Sequence, residues 1–70
     1  MERGRVKFFN VTRGYGFIMT EQGEEVFFHK NDVKETGFRS VLKQGDNVTF
    51  SLRQEPKGKR AFNVIRDSTL

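Results

Sequence analysis

A small all-β barrel is the fold class this sequence predicts. Its apolar residues recur with period 2 rather than 3.6, which places them along strands, not along one stripe of a helix. Turn signals fall about every ten residues, at Arg13-Gly14, Gln22-Gly23, Thr36-Gly37, Gln44-Gly45 and Pro56-Lys57-Gly58, the spacing of a sandwich or barrel of short strands. The chain has 70 residues, about half the common size of a domain. One domain spanning residues 1–70 is therefore expected, with no internal repeat and no linker.

Each element follows from the residues. A first strand covers about 3–10, with Val6 turned to the core. Phe8 shares its parity and Phe9 does not, so either both rings are partly buried or the strand bulges near residue 7. A second strand covers 15–20, where Gly16 and Ile18 alternate with Tyr15 and Phe17. In a third, 24–29, Val26 and Phe28 alternate with Glu25, Phe27 and His29. The stretch 30–44 is the least regular. Asn31 and Asp32 suit the cap of a short helical turn before Val33, and Gly37 argues against a long helix. A fourth strand, 46–54, alternates Val48, Phe50 and Leu52 with Thr49, Ser51 and Arg53. A fifth, 60–66, sets Phe62 and Val64 against Ala61 and Asn63. Five short antiparallel strands fit a Greek-key barrel of the OB type, and closure protects so short a chain from exposed edges.

Composition narrows the function. Without cysteine there is no disulfide, Cys-based zinc site or cysteine nucleophile. One histidine, His29, builds neither a multi-His metal site nor a His-paired nucleophile. No enzyme activity and no cofactor are expected. The longest apolar runs, Phe17-Ile18-Met19 and Val26-Phe27-Phe28, have three residues. A spanning helix needs about 20 and a signal peptide about 7–15, so no membrane association is expected. The lack of cysteine fits a cytoplasmic setting. Lys and Arg number 13 against 9 Asp and Glu, giving a net charge of +4 and a pI near 9.9. That balance suits a polyanion partner as well as an ordinary soluble surface. Eight Phe in a chain only 34% hydrophobic are more rings than a small core needs.

The second and third strands say where the surplus goes. One face carries Gly14, Gly16, Ile18, Val26 and Phe28, and the other Tyr15, Phe17, Phe27 and His29. A small barrel has one interior, and Gly, Ile and Val suit it. The rings opposite then form an outer platform, or a second small core under the 30–44 loop. Arg3, Arg5, Lys7, Arg13 and Lys30 lie on or beside these strands, and Lys57, Lys59 and Arg60 in the last turn. Rings framed by cations suit single-stranded nucleic acid, whose bases stack and whose phosphates need counter-charge. A duplex hides its base faces. His29 extends the stack as a planar ring with polar nitrogens. Glu25 is either a solvated residue or an acceptor for a base amine. Phe38 is either a lid over the core or one more ring at the rim.

Three ordered blocks carry a resemblance that covers essentially the whole chain. They are Gly4-Arg5-Val6-Lys7-Phe8-Phe9-Asn10, then Arg13-Gly14-Tyr15-Gly16-Phe17-Ile18, then Val26-Phe27-Phe28-His29, followed by Gly37-Phe38, Gly45 and Asn63-Val64. The sequence resembles the bacterial cold-shock proteins. The resemblance implies a five-stranded OB-fold barrel that binds single-stranded RNA and DNA with low sequence specificity, as an RNA chaperone or a transcription antiterminator. By position it places binding residues at Lys7, Phe8, Arg13, Tyr15, Phe17, Phe27, His29, Lys30 and Phe38. The cations Lys57, Lys59 and Arg60 complete the candidate set, and a monomer is expected. This chain departs from the family where Phe8 replaces the usual Trp, where Lys30 replaces an aromatic, and where Lys57-Gly58-Lys59-Arg60 replaces a Gly-Pro turn. The segment after Phe38 is about a residue longer. These changes shift the balance from stacking towards phosphate contacts. Phe62 stands where the family tends to have a small residue, and is expected in the core or at a barrel end.

Two other classes compete. Arg13-Gly14-Tyr15-Gly16-Phe17-Ile18 partly matches the longer motif of an RRM, but that fold needs two helices, and the two aromatic blocks stand in the reverse order. An SH3-like peptide binder would use the rings but has no need of the cations.

Overall fold

A computed structural model of the chain describes residues 1–34 and 42–66. The expectations for Gly37 and Phe38 lie outside the described residues. Five strands form: β1 (Glu2–Asn10), β2 (Tyr15–Thr20), β3 (Glu25–His29), β4 (Asn47–Glu55) and β5 (Gly58–Arg66), with one 3-10 turn, Lys30–Asp32, after β3. They close into a barrel in the order β1-β2-β3-β5-β4, as the turn spacing and alternation predict. No helix among the described residues is long and apolar enough to cross a membrane.

Among the described residues four strand pairings are antiparallel, and the one that closes the barrel, β3 to β5, is parallel. That seam holds a single register pair, Phe27 opposite Arg60. It is reinforced beyond the strands by the Val33–Val64 bridge and by the Lys34 amide donating to the Val64 carbonyl at 2.8 Å.

The interior is small and filled. Val6, Ile18, Val26, Phe28, Leu42, Val48, Phe50, Ala61 and Val64 are buried together, with Phe9, Val33 and Leu52 packed against them. Phe28 lies over Gly16: a β-carbon there would come within 2.8 Å of the Phe28 ring and collide with the Phe8 carbonyl. The inward glycine is thus what lets the large ring fill the centre.

Two bulges decide which rings face outward. In β1 the register passes from Val6–Ile18 to Phe8–Phe17, so Lys7 is the extra residue. Beyond it Phe8 points out, while Phe9 turns in and meets Phe28 with ring centroids 5.3 Å apart. Of the two arrangements the sequence allowed for β1, the bulge is the one found.

In β5 the structure corrects the alternation. The register slips between Thr49–Ile65 and Ser51–Phe62, and Asn63 adopts a left-handed φ of 53°, which Asn tolerates better than most residues. Ala61 and Val64, three apart, are therefore both buried, and Phe62 is left outside the core. The last hairpin is also tighter than expected. Only Pro56-Lys57 form the turn, and Lys59 and Arg60 already pair with Gln54 and Arg53. The helical turn begins at Lys30, ahead of the expected caps, so that His29 is its cap and Asn31 and Asp32 lie within it.

Candidate nucleic-acid interface

β1, β2 and β3 run side by side, and their registers line up the outward residues in rows. One row reads Phe8, Phe17, Phe27 across the three strands; the next reads Asn10, Tyr15, His29. This follows from period 2 once the Lys7 bulge has set Phe8 in phase with Phe17.

Tyr15 is the hub of the rings. Its centroid lies 5.9 Å from Phe8 and 6.2 Å from Phe17, both edge-on, and 6.0 Å from Phe27 with planes only 23° apart. Phe17 and Phe27 meet edge-on at 5.9 Å. Tyr15, Phe17, Phe27 and His29 are half-buried, and Phe8 is 42% exposed. None of the five belongs to the core cluster.

His29 is oriented by its neighbours. Its Nδ1 accepts from the Asn31 amide at 3.1 Å, so the ring proton of the neutral imidazole sits on Nε2. Its own amide donates to Asp32 Oδ2 at 2.9 Å. The same carboxylate oxygen accepts from Arg60 Nε at 3.0 Å, and Arg60 Nη2 lies 3.4 Å from Oδ1. The Asp32 side chain is only 7% exposed. Asp32 therefore ties the end of β3 to β5 at the closing seam.

The cations divide into two groups. Lys7 is held by Glu25 at 2.8 Å, Lys59 by Glu24 at 3.0 Å, and Arg60 by Asp32. The first two are exposed pairs, worth about 0–1 kcal/mol each, and open readily to a competing phosphate. Arg13, Lys30 and Lys57 have no carboxylate partner among the described residues. Arg13 stands in the β1–β2 turn, where its amide donates to Asn10 Oδ1 at 3.0 Å. Lys30 lays its aliphatic stem over Gly14, about 3.0 Å from where a β-carbon would stand, and so lies at the Tyr15 end of the face. Lys57 is at the tip of the last turn, beside a groove of about 500 Å³ lined by Phe27, Pro56 and Arg60 among others.

Of the candidate residues, Lys7, Phe8, Arg13, Tyr15, Phe17, Phe27, His29 and Lys30 are thus gathered on or around one face. Lys57, Lys59 and Arg60 border its β3 end, and Phe38 lies outside the described residues. Arg3 and Arg5 are further down β1, where Arg5 Nε donates to Asn47 Oδ1 at 3.3 Å. Sequence reasoning missed Asp32 as an organiser of the site. The signal was there, since an acidic residue three after a polar cap is the pattern of a capping box.

The family model of the 'Cold-shock' DNA-binding domain matches residues 2–67. The chain belongs to the cold-shock domain family. It is 44% identical over 66 residues to cold shock protein CspB of Geobacillus stearothermophilus, covering 94% of this chain and 98% of that one. Over 64 residues it is 44% identical to cold shock protein CspC of Bacillus subtilis, covering 91% and 96%. Against a major cold shock protein of Streptococcus pyogenes it is 38% identical over 66 residues, covering 94% and 97%. The barrel superposes on the solved structure of drosophila Unr CSD456 with a TM-score of 0.76 at 22% identity, covering 99% of this chain and 29% of that one. That likeness bears on the fold alone. Family membership supports nucleic-acid binding, and cold-shock domains are binders of nucleic acid rather than enzymes.

Proposed function

We propose that this protein binds single-stranded RNA and DNA with low sequence specificity, through the ring face of β1–β3, and acts as an RNA chaperone or transcription antiterminator. The observation that carries the reading is the gathering of Phe8, Tyr15, Phe17 and Phe27 outside the barrel, linked through Tyr15, which meets the other three rings, with Arg13, Lys30 and Lys57 at the rim. Stacking is sequence-tolerant because every base has a π face, and it requires unpaired bases. A strand held open in this way cannot fold on itself, which is what a chaperone of transcripts needs. The outward Nε2–H of His29 supplies one donor to a base carbonyl or a phosphate, which orients the strand without reading a sequence.

Residues 1–70 act as one cold-shock domain, as a monomer in the cytoplasm. Barrel closure supports the monomer, since a closed sheet offers no edge strand to a second copy. The absence of cysteine supports a reducing compartment.

Tyr15 is the dominant fluorophore, since the chain has no Trp and one Tyr. A titration with an unstructured single-stranded oligonucleotide should quench its emission saturably. A duplex of equal length should bind far more weakly. Equal affinity for both would overturn the reading, as would tight single-strand binding that leaves Tyr15 emission unchanged.

A further inference from the structure

The outer row of β1–β3 does not end at Phe27. Phe27 is opposite Arg60 on β5, and Arg60 is opposite Arg53 on β4, so one row of outward residues runs on around the barrel. Two residues beyond Arg60, on the outside of β5, stands Phe62. The Arg60 guanidinium carbon is 5.9 Å from the Phe27 ring centre and 4.9 Å from that of Phe62. Arg53 lies closer still to Phe62, at 4.4 Å.

The two arginines differ in freedom. Arg60 is held by two contacts to the buried Asp32 carboxylate, so its flat face stays beside Phe62. Arg53 is exposed and has no carboxylate partner among the described residues. Among the described residues its side chain is held by the contact with the ring, and an exposed contact of this kind is weak. A ring covered by an exposed cation, next to a ring face already framed by charge, suits a base followed by a phosphate.

We propose that Phe62 is a further stacking position for the bound single strand. A nucleobase takes the ring face that Arg53 covers, and Arg53 moves to the adjoining phosphate. The strand's track then extends from β3 across the closing seam onto β5 and β4. This rests on the single-strand reading above and lengthens its site. Site sizes of about 4–16 nucleotides per OB fold leave room for it.

The test is a length series of oligothymidylates, from about four to about ten nucleotides, against the parent, Phe62→Ala and Phe62→Trp. Short oligonucleotides fill the β1–β3 face alone and should bind the parent and Phe62→Ala equally. Longer ones should bind Phe62→Ala about tenfold more weakly, a loss typical of one stacked base. Phe62→Trp gives the chain its only Trp, and its emission should be quenched by long oligonucleotides and not by short ones. That readout serves even if the Ala variant unfolds. Arg53→Gln should lower the salt slope by about 0.7, the value for one phosphate on a single strand, with long oligonucleotides only. Identical length dependence for parent and Phe62→Ala, or an unquenched Trp at position 62, would overturn this inference while short-oligonucleotide binding leaves the β1–β3 reading intact. A parent that binds no single strand at any length would overturn both.

Discussion

Lys30 shows how much one residue decides. Its stem covers Gly14, its charge is free of carboxylates among the described residues, and an aromatic usually occupies that place in the family. Under the proposed function a cation at this place acts by neutralising phosphate, and salt weakens that by about −0.7 in slope per contact. A ring acts by stacking, which releases no counterion. Lys30→Phe should therefore bind with a salt slope shallower by somewhat under one unit, and more tightly than the parent at high salt. Affinities for one unstructured oligonucleotide at several salt concentrations decide it. Parallel lines would remove Lys30 from the phosphate path. Asp32 acts differently, by holding Arg60 and the His29 amide. Asp32→Ala leaves both donors without their acceptor and should lower stability by about 1.5–3 kcal/mol, the range for hydrogen bonds to charged groups, measured by urea unfolding. The pairing of Lys7 with Glu25 and of Lys59 with Glu24 was not legible in the sequence. These partners are 18 and 35 residues apart, and only the strand register brings them together.

At the scale of the strand, alternation was legible wherever a strand is regular and failed where a residue is inserted. β2 and β3 bury Gly16, Ile18, Val26 and Phe28 and turn Tyr15, Phe17, Phe27 and His29 outward, as period 2 requires. In β1 two bulky neighbours, Phe8 and Phe9, announced the irregularity. In β5 nothing apolar did, because the device is backbone geometry at Asn63 and not a pattern of side chains. That geometry sends Phe62 outward. Asn63→Gly keeps access to the left-handed φ and should be close to neutral. Asn63→Val places a branched side chain at φ 53° and should be less stable by about 1–3 kcal/mol. Denaturant midpoints of the two variants test this, and equal stability would mean that the bulge does not need its conformation. Lys59 and Arg60 belong to the same lesson. A two-residue turn places them in the strand, in register with Gln54 and Arg53, and so turns Arg60 towards Asp32.

For the whole molecule, the barrel divides its rings between two tasks. Phe28 and Phe50 fill the interior, and the outer rings lie beyond it. In the proposed binding, the rim cations without a carboxylate partner among the described residues set the electrostatic scale. If Arg13, Lys30 and Lys57 each meet one phosphate, the salt slope should be about −2. A slope near −4 would mean that Lys7 and Lys59 leave their glutamates and that Arg53 joins them. The division of rings makes the central claim separable from folding. Phe28→Ala should cost about 3–5 kcal/mol of stability, as core truncations do. Phe17→Ala and Phe27→Ala lose half-buried ring contacts, worth about 0.5–1.5 kcal/mol per ring pair, and should remain folded. The most direct measurement is the affinity of folded Phe17→Ala and Phe27→Ala for one unstructured single-stranded oligonucleotide, beside the parent. The account predicts a loss of about 1–3 kcal/mol in binding for each. Folded variants that bind the strand as tightly as the parent would contradict it.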